Sequence, residues 1–404
     1  MRVGIIGGGA AGMIAAIASA NNDNEVIIFE RNQECGKKIL MTGNGRCNYW
    51  NLDQSLIHYD SSTKELIELL IDNDSSAIEL FNSLGIIPKI KNGYYYPFSN
   101  QATTIRNVLL TELKKKNVKI KNNFLVVDVL KDNNNFIVVG EEENVIVDKL
   151  VIAAGSKASP KSGSDGFGYE LLKGMGHTIV KPLPALVQLK SKGDYLNIWN
   201  GVRTDCEVSL YENNQFIRKE CGEIQLTNYG ISGICVFNLS NRVTRGLDNN
   251  CIEDIYINFL PFIEKEYNVW FVEQTKLTDK SIYDLLKSIL NEKIVEVVFK
   301  VSNLSRKKKF TDLSLAEQRL IIDLTTNFKV NIVGSNSFNE AQVCSGGVLL
   351  SEINLETMES KLVNNLYIVG ELLDITGDCG GYNLGIAWRT GIKAGKDISG
   401  GKYD

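Results

Sequence analysis

Three glycines and one acid near the N-terminus carry the first recognisable chemistry. Gly7, Gly9 and Gly12 stand in GxGxxG spacing, Ala10 and Ala11 lie between the last two, and Glu30 follows 18 residues after Gly12. Glycines so spaced let a chain turn tightly, approach a pyrophosphate and pack a helix against a strand. A carboxylate about 20 residues on accepts hydrogen bonds from ribose hydroxyls. Shortly after comes Thr42-Gly43-Asn44-Gly45-Arg46-Cys47-Asn48. No core helix or strand favours that composition. It is a polar loop with one cation, able to fold over the same phosphates.

The motif needs a strand before it and a helix after it, and the sequence supplies both. Arg2–Ile6 is a short apolar strand, Met13–Ala20 is rich in Ala, Ile and Met, and Glu25–Phe29 is a second strand ending at Glu30. The N-terminus of the helix offers free N–H groups and partial positive charge to a phosphate. Strand, glycine turn, helix, strand and acid together imply a bound dinucleotide. They do not separate FAD from NAD. The acid disfavours a 2′-phosphate, and so NADP, at this first site.

Arg31 and Lys38 lead into the 42–48 loop, and further along stand Tyr96-Pro97-Phe98-Ser99, Ala153-Ala154-Gly155 and Gly163-Ser164-Asp165-Gly166. Near the C-terminus stand Ser345-Gly346-Gly347-Val348, Gly370-Glu371-Leu372-Leu373-Asp374 and Gly380-Gly381-Tyr382-Asn383-Leu384. In this order the stretches resemble the BaiN/YhiN-type (aminoacetone-oxidase-like) bacterial FAD-dependent oxidoreductases. The resemblance implies non-covalent FAD. It places Arg31, Lys38, Thr42, Gly43, Asn44, Gly45, Arg46, Cys47 and Asn48 at the cofactor. Ala154 and Gly155 join them at the end of a buried strand, with Val127 near the adenine. Gly370, Glu371, Asp374, Gly381, Tyr382, Asn383 and Leu384 form a second strand–glycine–helix unit at the flavin. Cys47 reads as packing, because it has no CxxC partner.

The expected fold class is α/β, a large FAD-binding Rossmann-type domain with an inserted β-barrel-like plus helical domain. The first part of the FAD domain spans 1–187 and the second part 336–404. The insert spans 188–335, β-rich over 188–262 and helical over 263–335. Lys64–Leu84 reads as one or two helices, and Ala102–Lys116 as another. Arg306-Lys307-Lys308-Lys309 reads as a solvated turn.

Composition narrows the function. The chain has 404 residues, is 44% hydrophobic and carries a net charge of −4, which sets up no global field for nucleic acid. Eight cysteines without CxxC spacing suit reduced thiols and a cytoplasmic protein, and no apolar run reaches membrane-spanning length. Two histidines, His58 and His177, exclude a multi-histidine metal site. His177 reads as structural, no catalytic acid or base is assigned, and the oligomeric state is left open. The expected activity is NADH- or NADPH-dependent reduction of a small organic acceptor, a conjugated C=C among them. The alternatives are an FAD amine oxidase using O₂ and a non-catalytic flavin-binding sensor or partner, or a nucleic-acid-modifying relative.

Overall fold

The structure is a computed structural model and describes residues 1–71 and 75–401. It divides into two compact units, Met1–Leu183 with Ala341–Asp404, and Pro184–Glu340.

The first unit is built on a five-stranded parallel sheet. Strand β1 (Arg2–Ile6) lies at its centre, with β2 (Glu25–Phe29) and Lys119–Lys121 on one side and Lys149–Ile152 and Leu366–Ile368 on the other. Helix α1 (Ala10–Ser19) makes the crossover from β1 to β2. It is buried along nearly its whole length, which its run of Ala and Ile permits. The C-terminal helix, Tyr382–Ile398, lies directly on α1. Small residues allow this approach: a Cβ built on Gly391 would sit 2.6 Å from Ala11 O, and one on Gly395 would sit 2.3 Å from Ala18 Cβ. The last helix is therefore locked to the first, and its own N-terminal turn is brought into the same unit.

Smaller elements complete this unit. Val126–Asp132, Asn135–Gly140 and Asn144–Val147 form an antiparallel sheet whose first turn is made by Asn133 in a left-handed conformation. Trp50–Asn51, Tyr94–Pro97 and Pro88–Lys91 form a second. Tyr59–Asp60 pairs antiparallel with Thr376–Gly377. The helical reading of 64–84 is met by Ile67–Ile71 and Ser76–Ser83, and its residues 72–74 lie outside the described residues. The helix Ala102–Lys115 buries Ile105, Leu109 and Leu113.

The second unit contains a closed six-strand antiparallel barrel: Leu189–Ser191, Gly230–Gly233, Gln215–Leu226, Arg203–Glu212, Glu253–Asn258 and Phe328–Ser335. The division into a β-rich 188–262 and a helical 263–335 is corrected at two places. Ile234–Asp248 is a 15-residue helix inside the β-rich part. Phe328–Ser335 is the closing strand of the barrel, with Phe328, Val330 and Ile332 buried in strict alternation. That period of two is present in the sequence but directly follows the helix Leu315–Thr326, whose apolar spacing masks it. Three of the four cations of the Arg306–Lys309 run are paired locally, Arg306–Glu296 at 2.7 Å, Lys308–Glu317 at 3.0 Å and Lys309–Asp279.

Among the described residues no helix is long and apolar enough to cross a membrane, and no group of three or more His, Cys, Asp or Glu could hold a metal ion.

Candidate cofactor site

Each glycine of the first turn meets a different neighbour. Gly7 has φ +101°, its N–H donates to Phe29 O at 2.9 Å, and a Cβ there would lie 2.5 Å from Ala153 O. A Cβ on Gly12 would lie 1.9 Å from Gly7 O. Both are closed by the protein's own backbone. Gly9, the residue before α1, is the opposite case: nothing lies within 4 Å of where its Cβ would be. The chain thus leaves an open cradle at a helix N-terminus, where the first N–H groups lack intrahelical acceptors. A pyrophosphate fits there.

Glu30 is 6% exposed, and three donors fix its carboxylate. Gly8 N–H donates to Oε2 at 2.8 Å, while Asn32 N–H and Asn32 Nδ2 donate to Oε1 at 2.8 and 2.7 Å. Oε2, with a single donor, keeps capacity for a further hydroxyl donor. Neighbouring Cys35 is no nucleophile: burial first, and Glu30 second, push its thiol up to about 12. Arg31 pairs with Asp165 at 2.5 Å and Asn32 Nδ2 donates to Ser162 O at 3.1 Å, so the 162–165 loop is drawn against the end of β2. Phe124 N–H donates to Glu30 O at 2.9 Å, which brings the start of the Val127 strand to the same edge. Val127 itself is 45% exposed beside a register irregularity.

The 42–48 loop is shaped by positive φ angles at Gly43, Asn44, Gly45 and Cys47. Thr42 Oγ1 donates to Ile39 O at 2.6 Å and Cys47 N–H to Thr42 O at 3.1 Å, closing the base. Gly43, Asn44, Gly45 and Arg46 remain exposed, and among the described residues the Arg46 guanidinium has no partner. Asn48 Oδ1 is buried without a hydrogen-bond donor among them. An orphaned acceptor of this kind is costly unless something else donates to it. Cys47 has no exposed surface, and burial pushes its thiol up to about 12. Its side chain packs at the base of the loop.

The second strand meets the first turn at Gly370, whose φ is +71° and whose Cβ would lie 2.8 Å from Ala11 Cβ. Glu371 Oε2 takes Lys38 Nζ at 2.6 Å and Ser156 Oγ at 2.8 Å. Ala154 and Gly155 follow the end of the neighbouring strand Lys149–Ile152, and Gly155 is held against Ser164, whose Oγ its Cβ would meet at 2.5 Å. Asp374 is 2% exposed, and its Oδ2 accepts from Ser62 N–H at 2.9 Å, Ser61 Oγ at 3.3 Å and Ser62 Oγ. That oxygen anchors the 61–62 loop, a use the sequence reading did not foresee.

The 377–385 turn is tighter than expected. Asn383 Nδ2 donates to Gly377 O at 2.7 Å and its Oδ1 accepts Gly377 N–H at 2.8 Å, so the side chain braces the turn instead of reaching outward. A Cβ on Gly381 would lie 2.7 Å from the Trp50 backbone, so this glycine is required by protein, unlike Gly9. Tyr382 is 3% exposed and Leu384 is packed on the core.

One residue absent from the expected site stands at this turn. His58 stacks on Tyr382, centroids 4.6 Å apart and planes 19° from parallel. Its Nδ1 lies 3.0 Å from Asp378 Oδ2 and its Nε2 lies 3.1 Å from Asp53 Oδ2. Asp53 is held below the ordinary carboxylate range, chiefly by the Ser55 backbone N–H and then by its hydroxyl and His58. The scarcity of histidine was the one sequence signal available. His177, by contrast, is fully enclosed between Glu352 at 3.0 Å and Ser360 at 2.9 Å.

A parallel sheet, a glycine turn before α1, a buried acid at the end of β2 and a returning C-terminal strand and helix define an FAD-dependent oxidoreductase fold with an inserted barrel. The open cradle at Gly9, the fixed Glu30 and the orphaned Asn48 acceptor fit that cofactor. Residues 1–397 match the HI0933-like protein Rossmann domain, and the chain belongs to this family of FAD-dependent oxidoreductases. It is 37% identical to the 3-dehydro-bile acid delta(4,6)-reductase of Clostridium scindens, over 98% of both chains. It is 28% identical to the ribosomal RNA dihydrouridine synthase of Escherichia coli K12, over 98% of this chain and 97% of that one. Among solved structures, the open conformation of a flavocytochrome c3 fumarate reductase shares the fold with a TM-score of 0.50, at 14% identity over 99% of this chain and 78% of that one.

Proposed function

We propose that the protein is a reductase that saturates a carbon–carbon double bond conjugated to a carbonyl, with non-covalent FAD and NADH or NADPH as a transient donor. The observation that carries the reading is that two relatives matched end to end are named for different substrates yet for one kind of reaction, reduction of a C=C bond. When bound, FAD carries the hydride between donor and acceptor.

The chain's own residues hold and orient. Glu30 faces the ribose, the Gly9 cradle and the α1 N-terminus take the pyrophosphate, and Arg46 offsets its charge. The raised Cys47 thiol supports non-covalent attachment. No second GxGxxG stands in the insert, which favours a donor that docks and leaves. A small-molecule acceptor is favoured over RNA by the net charge of −4 and by the ion-paired Arg306–Lys309 run. Cytoplasmic residence accords with eight free thiols.

Anaerobic stopped-flow mixing tests the reading. NADH or NADPH should bleach the flavin band near 450 nm, and a 3-dehydro-Δ4,6 bile acid should restore it. Restoration by uridine-containing ribosomal RNA and not by the diene would move the substrate class to RNA. Bleaching by an amine and by neither nucleotide would overturn the reductase.

A further inference from the structure

We infer that Asp53, His58 and Asp378 form a proton relay from solvent to the second glycine turn. The inference rests on the reductase reading above and on placing the flavin edge at that turn.

Saturating a C=C bond adds a hydride to one carbon and a proton to the other. The nicotinamide donor supplies the hydride by way of the flavin, and water supplies the proton. A site closed to water therefore needs a conductor for that proton. Side-chain exposure falls along the three residues, from 58% at Asp53 to 21% at His58 and 8% at Asp378. The imidazole sits between the carboxylates with one nitrogen turned to each, at 3.1 and 3.0 Å. A ring in that position takes a proton on Nε2 from the solvent side and releases one from Nδ1 to the buried side. No ring atom has to move for one transfer, and the starting tautomer is restored between turnovers by exchange of the ring protons with water.

The geometry is held from three directions. Tyr382 stacks on the ring. Asp378 N–H donates to His58 O at 2.9 Å, so backbone and side chain of the same two residues are joined. The Tyr59–Asp60 strand, next in sequence, pairs with Thr376–Gly377. Asp378 itself lies inside the braced turn, where Asn383 Nδ2 donates to its carbonyl at 3.3 Å. The loop carrying the exposed end of the relay is thus fastened to the turn carrying its buried end.

The test uses the FAD-loaded full chain and three variants, H58Q, D53N and D378N. After reduction by NADH or NADPH, reoxidation by the 3-dehydro-Δ4,6 bile acid is followed in H₂O and D₂O. H58Q should keep its flavin and slow reoxidation about 10²-fold, with a larger solvent isotope effect, and added imidazole should restore much of the rate. D53N should slow it less, since water can replace the outer carboxylate. Wild-type rates in H58Q, or a loss that imidazole does not touch, would overturn the relay. A second readout needs no turnover. With two histidines in the chain, ¹⁵N-histidine labelling resolves the His58 ring. Exchange of its Nδ1 proton with water should slow in D378N, whose amide cannot take that proton, and unchanged exchange overturns the relay. If the diene is inert but exchange slows, the relay stands and the substrate reading falls.

Discussion

Lys38 and Glu371, 333 residues apart, form one ion pair, with Nζ 2.6 Å from Oε2. Each side chain is 24% exposed, and Ser156 Oγ donates to the same oxygen at 2.8 Å. The pair fastens the segment leading into the 42–48 loop to the end of the returning strand. Two segments from opposite ends of the chain, both expected at the cofactor, are thereby held together.

Removing one partner should loosen both. Lys38→Met leaves a half-buried carboxylate uncompensated and is expected to cost about 1–3 kcal/mol in urea unfolding. FAD retention through gel filtration should fall with it. Lys38→Met combined with Glu371→Gln should recover part of the stability, because no uncompensated charge remains. Full recovery of flavin retention in that double variant would show that the pair acts on stability alone.

Gly9 and Gly381 should respond oppositely to a side chain. Gly9→Val meets open space in the protein and is expected to cost about 1 kcal/mol or less, yet to yield colourless protein because the cradle is filled. Gly381→Ala has φ +96° and the Trp50 backbone at 2.7 Å, so it should cost about 1–3 kcal/mol or more while the flavin site is lost only as the fold is. Thermal unfolding and the 450 nm absorbance of purified protein separate the two. A yellow Gly9→Val variant would sink the cradle assignment.

Glu30→Ala should weaken FAD binding strongly. On the assigned role it would remove a charge-assisted ribose hydrogen bond worth about 1.5–3 kcal/mol, and it releases Gly8 N–H and Asn32 from their acceptor. Isothermal titration of the FAD-free protein with FAD measures the effect. Wild-type affinity would count against the assigned role.

Stability of the barrel unit should depend on pH through Glu253. Burial first, and the Glu212 carboxylate second, raise its pKa to about 8, and neither of its carboxylate oxygens has a hydrogen-bond donor among the described residues. A carboxyl whose folded pKa lies above its unfolded value stabilises fully below the unfolded pKa. That contribution is lost as pH rises towards and through about 8. Urea midpoints measured from pH 5 to pH 9 should fall for the wild type and flatten for Glu253→Gln.

Much of the cofactor half was readable because its signals are local. Gly7, Gly9, Gly12 and Glu30 fall within thirty residues and sit on a strand, a turn, a helix and a strand, each announced by its own periodicity. Strand Phe328–Ser335 was missed although it alternates cleanly, because it abuts a helix and pairs with Glu253–Asn258 and Leu189–Ser191, far away in sequence. Asn383 and Asp374 read from the sequence as cofactor contacts, and the sequence did not show that the turn would engage the Asn383 amide or the 61–62 loop the Asp374 Oδ2.

By itself the sequence determined the dinucleotide turn, the parallel α/β class and the presence of a distinct insert, since these follow from glycine geometry and from periods of 2 and 3.6. Tertiary structure alone decided that Gly381 is closed by the Trp50 backbone. It joined Lys38 to Glu371 and set His58 between Asp53 and Asp378, the last of these 320 residues away. Such pairings depend on which side chains the folded sheet and helices bring within about 3 Å, and separations of that length leave no periodic trace in one chain.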